Sequence, residues 1–275
     1  MRYRYFLAIQ TVLPDLYERD RDFIDNLRLL RELGFDGVEL NIREPDRVDP
    51  AKLKSFLGDF GLVFSIFATG LTAKTAGLSL ASTEEGRRKE SVRRARGFLA
   101  FARELGGGVV AGYLKAAAGE NSPAHREKLK ESIADIAPEA QRLETPFVVE
   151  AINRFESPLG NGLDDTWDLV REQAQDRGNP WVHILPDTWH MNIEESNMEA
   201  AMIRHRGRFI GFHLSDNNRF LPGFGALDFK RIVGVLDALG YTGRVALEAN
   251  IKTSFAEDVR KSMGYLAPIL KKEEW

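Results

Sequence analysis

Residues 33–38 read Leu-Gly-Phe-Asp-Gly-Val, residues 239–243 read Leu-Gly-Tyr-Thr-Gly, and residues 105–109 give a shortened form, Leu-Gly-Gly-Gly-Val. Each motif follows a helix-like pattern and precedes a strand-like run. A glycine just past a helix can adopt the left-handed conformation that ends it, and we expect the second glycine to let the chain turn tightly into the strand. The motif therefore predicts helix-to-strand corners that recur along the chain.

Strand-like and helix-like segments alternate around these corners. The predicted strands lie at residues 4–10, 37–42, 63–68, 108–113, 147–152, 181–187, 209–215 and 244–249. Between them apolar residues recur at helical spacing, as in Phe23, Leu27 and Leu30. Such alternation is typical of parallel strands joined by helical crossovers. Eight units in 275 residues predict an α/β fold, a (β/α)8 TIM barrel, with residues 1–275 forming one domain.

The composition narrows the possible partners. The chain is 43% hydrophobic and 29% charged, and its formal charge of −3 provides no broad positive field for nucleic acid. It has no cysteine and hence no disulfide framework. It shows neither the features of a signal peptide at its start nor an apolar run of about 20 residues. We therefore expect a cytoplasmic protein without nucleic-acid or membrane partners.

Four apolar runs each reach a side chain that can bind a metal. FVVE (147–150), WVHILPD (181–187), FIGFH (209–213) and RVALE (244–248) end at Glu150, Asp187, His213 and Glu248. Their spacing of about one β/α unit places them on strands 5 to 8, whose C-terminal ends meet at the barrel mouth. Because buried carboxylates need partners, the set predicts one divalent-metal site. For each residue alone, an ion pair or a hydrogen-bonded core position is the alternative.

Three carboxylates and one imidazole are not the ligands of a closed structural zinc site, which prefers sulfur and nitrogen. We expect one divalent ion, with Mn²⁺ as the first choice and Mg²⁺, Co²⁺ or Zn²⁺ as alternatives. Four monodentate protein ligands leave two positions of a six-coordinate ion open. Two neighbouring oxygens of a sugar could fill them.

The residues around these ligands resemble the xylose isomerase-like TIM barrels, in particular the ketose 3-epimerases and the related hydroxypyruvate isomerases. The similarity lies in three patterns, E-x5-E at residues 150–156, D-x-x-H at 187–190 and H-x5-R at 213–219. It is specific over strands 5 to 8. In the first half it is limited to the fold pattern and the Gly-Leu-Ser stretch at 77–79.

The resemblance implies a metal-dependent epimerase or isomerase for a small ketose or keto-acid sugar. We expect Glu150 and Glu248 to be the catalytic pair, one removing a proton beside the carbonyl and the other returning it to the opposite face. The metal is expected to hold the cis-enediolate oxygens. Reprotonation at the neighbouring carbon would instead give aldose–ketose isomerisation. The alternative is a lyase, such as a dehydratase of a keto-inositol or related polyol, on the same scaffold.

Four further residues are expected to contact the substrate. The resemblance implies that His190 and Arg219 donate hydrogen bonds to the carbonyl side, although a structural histidine and a surface ion pair are the alternatives. Glu156 is expected to orient His190 or to bind a hydroxyl, and Tyr113 to stack on the sugar or to pack the mouth. Residues 252–254 (Lys-Thr-Ser) are either a phosphate site or ordinary surface. Related enzymes are often dimers or tetramers, so a homodimer or homotetramer is expected.

Two other functions are alternatives. Endonuclease IV shares the barrel, but its three-metal cluster needs many histidines and this chain has five. A non-catalytic binding protein is the other possibility.

The remaining polar features have structural interpretations. His183 is expected in the core, and His125 and His205 are expected to face solvent. The arginine-rich segment 87–96 is expected to form a solvated helix face. Glu39 points either to the pocket or to a helix-facing ion pair. The loops 69–82 and 216–226 are long enough to act as lids.

Overall fold

Eight parallel strands form the centre of the protein. The computed structural model describes residues 3–174 and 177–271. The strands are β1 (Phe6–Val12), β2 (Gly37–Asn41), β3 (Val63–Ala68), β4 (Gly108–Ala111), β5 (Phe147–Glu150), β6 (Val182–Leu185), β7 (Gly211–Leu214) and β8 (Arg244–Leu247). They pair in the order β6-β5-β4-β3-β2-β1-β8-β7, every ladder being parallel. The predicted α/β barrel is confirmed.

Helices connect successive strands on the outside of the barrel. Within the described residues they are α1 (Arg21–Glu32), α2 (Pro50–Asp59), α3 (Gly70–Ala76), α4 (Glu85–Leu105), α5 (Pro123–Leu143), α6 (Leu163–Val170), α7 (Thr188–Glu194), α8 (Met198–Arg204), α9 (Phe229–Ala238) and α10 (Phe255–Leu270). Helix α1 buries Phe23, Leu27 and Leu30, as its apolar spacing predicts.

The barrel is nearly closed. Across the described residues, β6 and β7 are joined by an isolated parallel bridge between Asp187 and His213 in place of a full ladder. The backbone N–H of His213 donates to the carbonyl of Pro186 at 2.9 Å. Two of the predicted metal ligands therefore lie at the seam of the barrel.

Glycines shape the helix-to-strand corners in two different ways. Gly34, Gly106 and Gly240 have φ angles of 88°, 81° and 65°, the left-handed conformation predicted for them. The second glycines, Gly37 and Gly243, have no positive φ, so a left-handed backbone is not what requires glycine there. They are needed for space, because a Cβ on Gly37 would lie 2.4 Å from the carbonyl oxygen of Val63.

The Gly37→Ala variant is expected to lose about 1–3 kcal/mol of unfolding free energy, because the added methyl group meets backbone that cannot move aside cheaply. Gly234→Ala is the matched control. Gly234 lies inside α9, where a Cβ would meet nothing within 4 Å, so alanine should stabilise that helix by about 0.5–1 kcal/mol. Urea titration of both variants measures the difference. Equal stability of the two would contradict the proposed close approach.

Apolar side chains pack in two layers. The larger core lies between the strands and the surrounding helices, and a smaller cluster fills the barrel interior. The inner cluster comprises Ile66, Ala68, Val110, Val148 and Leu185. Since Ala68 and Val110 also line the cavity at the barrel mouth, the inner cluster forms the floor of that cavity.

The two predicted loops are more ordered than expected. The segment 69–82 contains helix α3. In the segment 216–226, the carboxylate of Asp216 accepts hydrogen bonds from the N–H groups of Gly223 (3.0 Å) and Gly225 (2.8 Å).

Among the helices of the described chain, none combines the length and apolar character needed to cross a membrane.

Two predictions of solvent-facing side chains were wrong. His205 is buried, and its Nε2 lies 2.7 Å from the carboxylate of Asp164. Arg88 is also buried and pairs with Glu85 and Asp135, which satisfy its charge between α4 and α5. Both errors arise because a charged partner on another element makes burial of a polar group tolerable. His183 lies in the core as predicted, and His125 is half-buried at the start of α5, where it forms a capping box with Ser122.

Candidate active site

The four predicted ligands converge at the C-terminal mouth of the barrel. Glu150 is the last residue of β5, His213 lies in β7, Glu248 directly follows β8, and Asp187 is the N-cap of α7 just after β6. Each offers one ligand atom, and these atoms all lie within 4.8 Å of one another. Four segments far apart in sequence thus present a compact set of oxygen and nitrogen donors.

His213 is the centre of this cluster. Its Nδ1 lies 2.6 Å from a carboxylate oxygen of Glu248, 3.5 Å from Glu150 and 3.9 Å from Asp187. Its Nε2 lies 2.9 Å from Glu39, a buried residue of β2. Of the two interpretations of Glu39, the structure therefore supports the one in which its side chain points towards the pocket.

The local fold orients Asp187. Its Oδ1 accepts hydrogen bonds from the N–H groups of Trp189 (2.7 Å) and His190 (3.3 Å) at the start of α7. Its Oδ2 faces the cluster and pairs with Arg219 at 2.6 Å. Helix capping thus fixes the carboxylate plane, as expected for an aspartate at a helix start.

Crowded charges shift the pKa values of the cluster. Burial, followed by the charge of Glu248, raises the pKa of Glu150 to about 7. Burial opposes charge on Glu248 too, but Arg219 and His213 hold its pKa well below the usual range. Burial alone would lower the pKa of His213, yet the charges of Glu39 and Glu248 raise it well above its ordinary value.

The residues present fit a divalent cation. The Oε1 atom of Glu150 is buried and has no hydrogen-bond partner in the described part of the chain. Four buried or largely buried carboxylates, from Glu39, Glu150, Asp187 and Glu248, are accompanied by the permanent cation Arg219. Such an excess of buried negative charge is costly unless further positive charge compensates it. Oxygen donors with one imidazole suit Mn²⁺ or a similar ion.

A cavity of about 240 Å³ lies directly above this cluster; we call it the mouth cavity. Glu150, Glu248, His190 and Arg219 all line it. Arg219 also pairs with Glu248 at 3.1 Å, and its guanidinium lies 4.7 Å from the ring centre of Trp189. The residue has a left-handed backbone, with φ of 62°, an uncommon conformation outside glycine that is often found at functional sites.

The other predicted substrate-binding residues lie at the same mouth with different partners from those expected. His190 Nδ1 lies 2.8 Å from the side-chain amide of Asn153 and 3.2 Å from its backbone nitrogen. Asn153, and not Glu156, therefore orients His190, and the other expected role of Glu156, binding a substrate hydroxyl, stays a prediction. Glu156 accepts a hydrogen bond from the hydroxyl of Tyr113. Burial lowers the pKa of His190, which favours the neutral imidazole.

Three residues near the site were missed from the sequence. Gln10 and Asn41 line the mouth cavity and are hydrogen-bonded to each other at 2.7 Å. They carry the same signal as the ligands, a polar residue late in an apolar strand. Lys115 is fully buried, and its ammonium donates to the carbonyls of Glu150 and Gly160. Nothing in its sequence context distinguishes it from a surface lysine.

The segment after β8 is occupied by the protein's own carboxylate. Asp258 accepts hydrogen bonds from the backbone N–H groups of Lys252 and Thr253, and Ser254 caps α10. The backbone donors that could have bound a phosphate are therefore already used. This favours the interpretation of residues 252–254 as ordinary surface.

The protein is thus a parallel α/β barrel with a candidate metal site and two glutamates at its mouth. A family model described as Xylose isomerase-like TIM barrel matches residues 27–269. The chain belongs to this family, as its motifs predict.

Several known proteins are similar along most of their length. An L-ribulose 3-epimerase of Mesorhizobium japonicum is 33% identical over 224 residues, covering 80% of this chain and 72% of that protein. A 3-dehydro-D-guloside 4-epimerase of Escherichia coli is 27% identical over 266 residues, covering 89% and 94%. A solved L-ribulose 3-epimerase superimposes with a TM-score of 0.82 at 22% identity, over 97% of this chain and 94% of that one. These relatives confirm the predicted enzyme class, an isomerase.

Proposed function

We propose that this protein is a metal-dependent epimerase that inverts a carbon beside the carbonyl of a sugar. The observation that carries the proposal is the placement of Glu150 and Glu248. They reach one cavity from β5 and from the end of β8, and both belong to the cluster that can hold a metal. The similarity to epimerases of ketoses and of a keto-glycoside supports the same chemistry.

The two glutamates perform the proton transfer. One carboxylate removes the proton from the carbon next to the carbonyl, and the other, already protonated, returns a proton to the opposite face. In the reverse reaction the two exchange roles. His190 and Arg219 line the same cavity and donate hydrogen bonds to the oxygens on which negative charge develops.

Glu150, Asp187, His213 and Glu248 would hold the divalent ion, with Mn²⁺ expected first. When bound, such an ion acts as a Lewis acid that polarises the carbonyl and makes the neighbouring proton more acidic. The protein residues then orient the sugar so that the C–H bond to be broken faces one glutamate.

The test is incubation of Mn²⁺-loaded protein with a panel of ketoses, their phosphates and hydroxypyruvate in deuterated water, followed by NMR. Epimerisation places one deuterium at the inverted carbon and leaves the carbon skeleton intact. A dehydrated product would instead establish the lyase alternative. The proposed function would be refuted if none of these compounds, and none of the keto-glycosides described below, exchanged a proton.

Metal affinity is expected to increase with pH between 6 and 8. The pKa of Glu150 in the metal-free protein is raised to about 7, so below pH 7 the carboxyl is mostly protonated and a metal must displace that proton. The raised pKa of His213 acts in the same direction. Displacement of one proton with a pKa of about 7 makes the Kd for Mn²⁺ decrease about fivefold from pH 6 to pH 7 and about twofold from pH 7 to pH 8. Release of a proton from His213 adds to this decrease. Titration calorimetry in two buffers measures both Kd and the protons released; a pH-independent Kd would contradict this account.

A further inference from the structure

A second cavity adjoins the mouth cavity on the side of β4. It has a volume of about 340 Å³, and we call it the second chamber. Lys74 and Tyr113 line both cavities, so the two spaces are neighbours separated by the tyrosine ring. Because two side chains border both spaces, a ligand that contacts them from the mouth cavity also reaches the edge of the second chamber.

The dividing ring is held in place by three different segments. The hydroxyl of Tyr113 donates to Glu156, which follows β5. The ammonium of Lys74, on α3, lies 4.0 Å from the ring centre. Gly70 leaves space for the edge of the ring, because a Cβ at this position would lie 3.2 Å from Tyr113 Cδ2. The boundary between the two spaces is therefore a fixed feature of the mouth.

The walls of the second chamber combine small apolar groups with polar groups at the edge. Ala73, Leu78 and Ala117 supply apolar surface, while Lys74 and Glu156 supply hydrogen-bonding groups. Such a mixture suits a neutral hydroxylated ring, whose C–H face packs on apolar side chains while its hydroxyls reach polar ones.

The charge balance argues against a phosphate in this space. Arg87 also lines the second chamber, but it pairs with Glu120 at 3.1 Å. The same carboxylate accepts a hydrogen bond from the backbone N–H of Ala117 at 2.7 Å and is itself buried. Glu156 adds a second negative group opposite Lys74. The two cations of the lining, Lys74 and Arg87, are thus matched by Glu156 in the lining and Glu120 behind it, which leaves no net positive charge to hold an anion.

We propose that the substrate is a ring-oxidised glycoside, a pyranoside with a keto group on its ring and a second sugar-sized group in the second chamber. This inference rests on the proposed epimerase function. The keto ring occupies the mouth cavity beside Glu150 and Glu248, and the glycosidic bond passes Tyr113. The C–H bond next to the ketone breaks and forms again on the opposite face, so the reaction needs no oxidant or reductant.

The experiment compares three probes with Mn²⁺-loaded protein: a free ketohexose, methyl 3-ketoglucopyranoside and 3-ketocellobiose. Deuterium incorporation next to the ketone is followed by NMR, with the Glu150→Gln variant correcting for spontaneous exchange. We expect kcat/KM for the disaccharide to exceed that for the methyl glycoside about tenfold or more. Ala117→Leu, which fills the chamber, should raise KM for the disaccharide about tenfold more than KM for the methyl glycoside.

Ala124→Leu is the matched control, because Ala124 is exposed on the first turn of α5, outside both cavities. It should leave KM unchanged for both glycosides, and circular dichroism checks that both variants are folded. Turnover of the ketohexose with rejection of both glycosides would overturn this inference and leave the proposed function intact. An equal effect of Ala117→Leu on both glycosides would also overturn it. Absence of exchange with all three probes would also overturn it, and the proposed function itself is refuted only if the ketoses, ketose phosphates and hydroxypyruvate of the first panel fail to exchange as well.

Discussion

The Glu150→Gln variant is expected to lower kcat about 10³-fold, within the range measured for loss of a general acid or base. The amide keeps the size of the side chain and one oxygen that can face the cluster, but it can neither accept nor return a proton. Because Glu150 is the last residue of β5 and its carbonyl is held by Lys115, the backbone should stay in place. We therefore expect loss of turnover without loss of the fold.

Three measurements distinguish loss of proton transfer from loss of bound metal and from loss of the fold. Turnover is followed at saturating Mn²⁺, bound metal is quantified after dialysis, and thermal unfolding is compared with the wild type. Glu104→Gln, at an exposed position on α4, makes the same chemical change far from the mouth and should leave kcat unaltered. Near-normal kcat in metal-loaded Glu150→Gln would remove Glu150 from proton transfer and with it the two-glutamate mechanism.

The periodicity of the sequence predicts the strands well and their ends less well. All eight predicted strands are present, but the segment 209–215 shortens to Gly211–Leu214 and the segment 108–113 to Gly108–Ala111. The missing residues mostly lie at the mouth, where side chains such as that of Tyr113 contact the cavity instead of continuing a ladder. Apolar spacing indicates which side chains are buried, and side chains remain buried beyond the last hydrogen bond of the strand.

The positions of the candidate ligands could be predicted because strand order determines them. In a parallel barrel every strand ends at the same mouth, so a polar residue after an apolar run has a known location. The pairings could not be predicted, since they depend on contacts between elements. The hydrogen bond from Asn153 to His190, and that from Tyr113 to Glu156, join loops whose relative placement no local pattern encodes. The burial of Lys115 was missed for the same reason.

The Glu39→Gln variant is expected to weaken Mn²⁺ binding about 10- to 100-fold, the range typical for loss of a carboxylate behind a metal-binding histidine. Glu39 and His213 are each 1% exposed, and the carboxylate lies 2.9 Å from Nε2. When a metal is bound, we expect Nε2–H to donate to Glu39, and we expect Nδ1, which faces Glu150, Asp187 and Glu248, to lose its proton and bind the ion. Glutamine can still accept that hydrogen bond, but it loses the negative charge that makes the imidazole a stronger donor to the metal.

Because a merely structural role would change stability alone, the measurement must include a property of the imidazole. Nitrogen-15 NMR of His213 with diamagnetic Zn²⁺ bound shows which ring nitrogen carries the proton, and titration calorimetry gives the Kd for Mn²⁺. Asp258→Asn is the matched control, since Asp258 is a buried carboxylate (3% exposed) that binds backbone N–H groups outside the ligand cluster. It should alter stability without altering Kd. If folded Glu39→Gln protein bound Mn²⁺ as tightly as the wild type, with the proton still on Nε2, the charge of Glu39 would have no part in the metal site, and the hydrogen bond alone would suffice to orient His213.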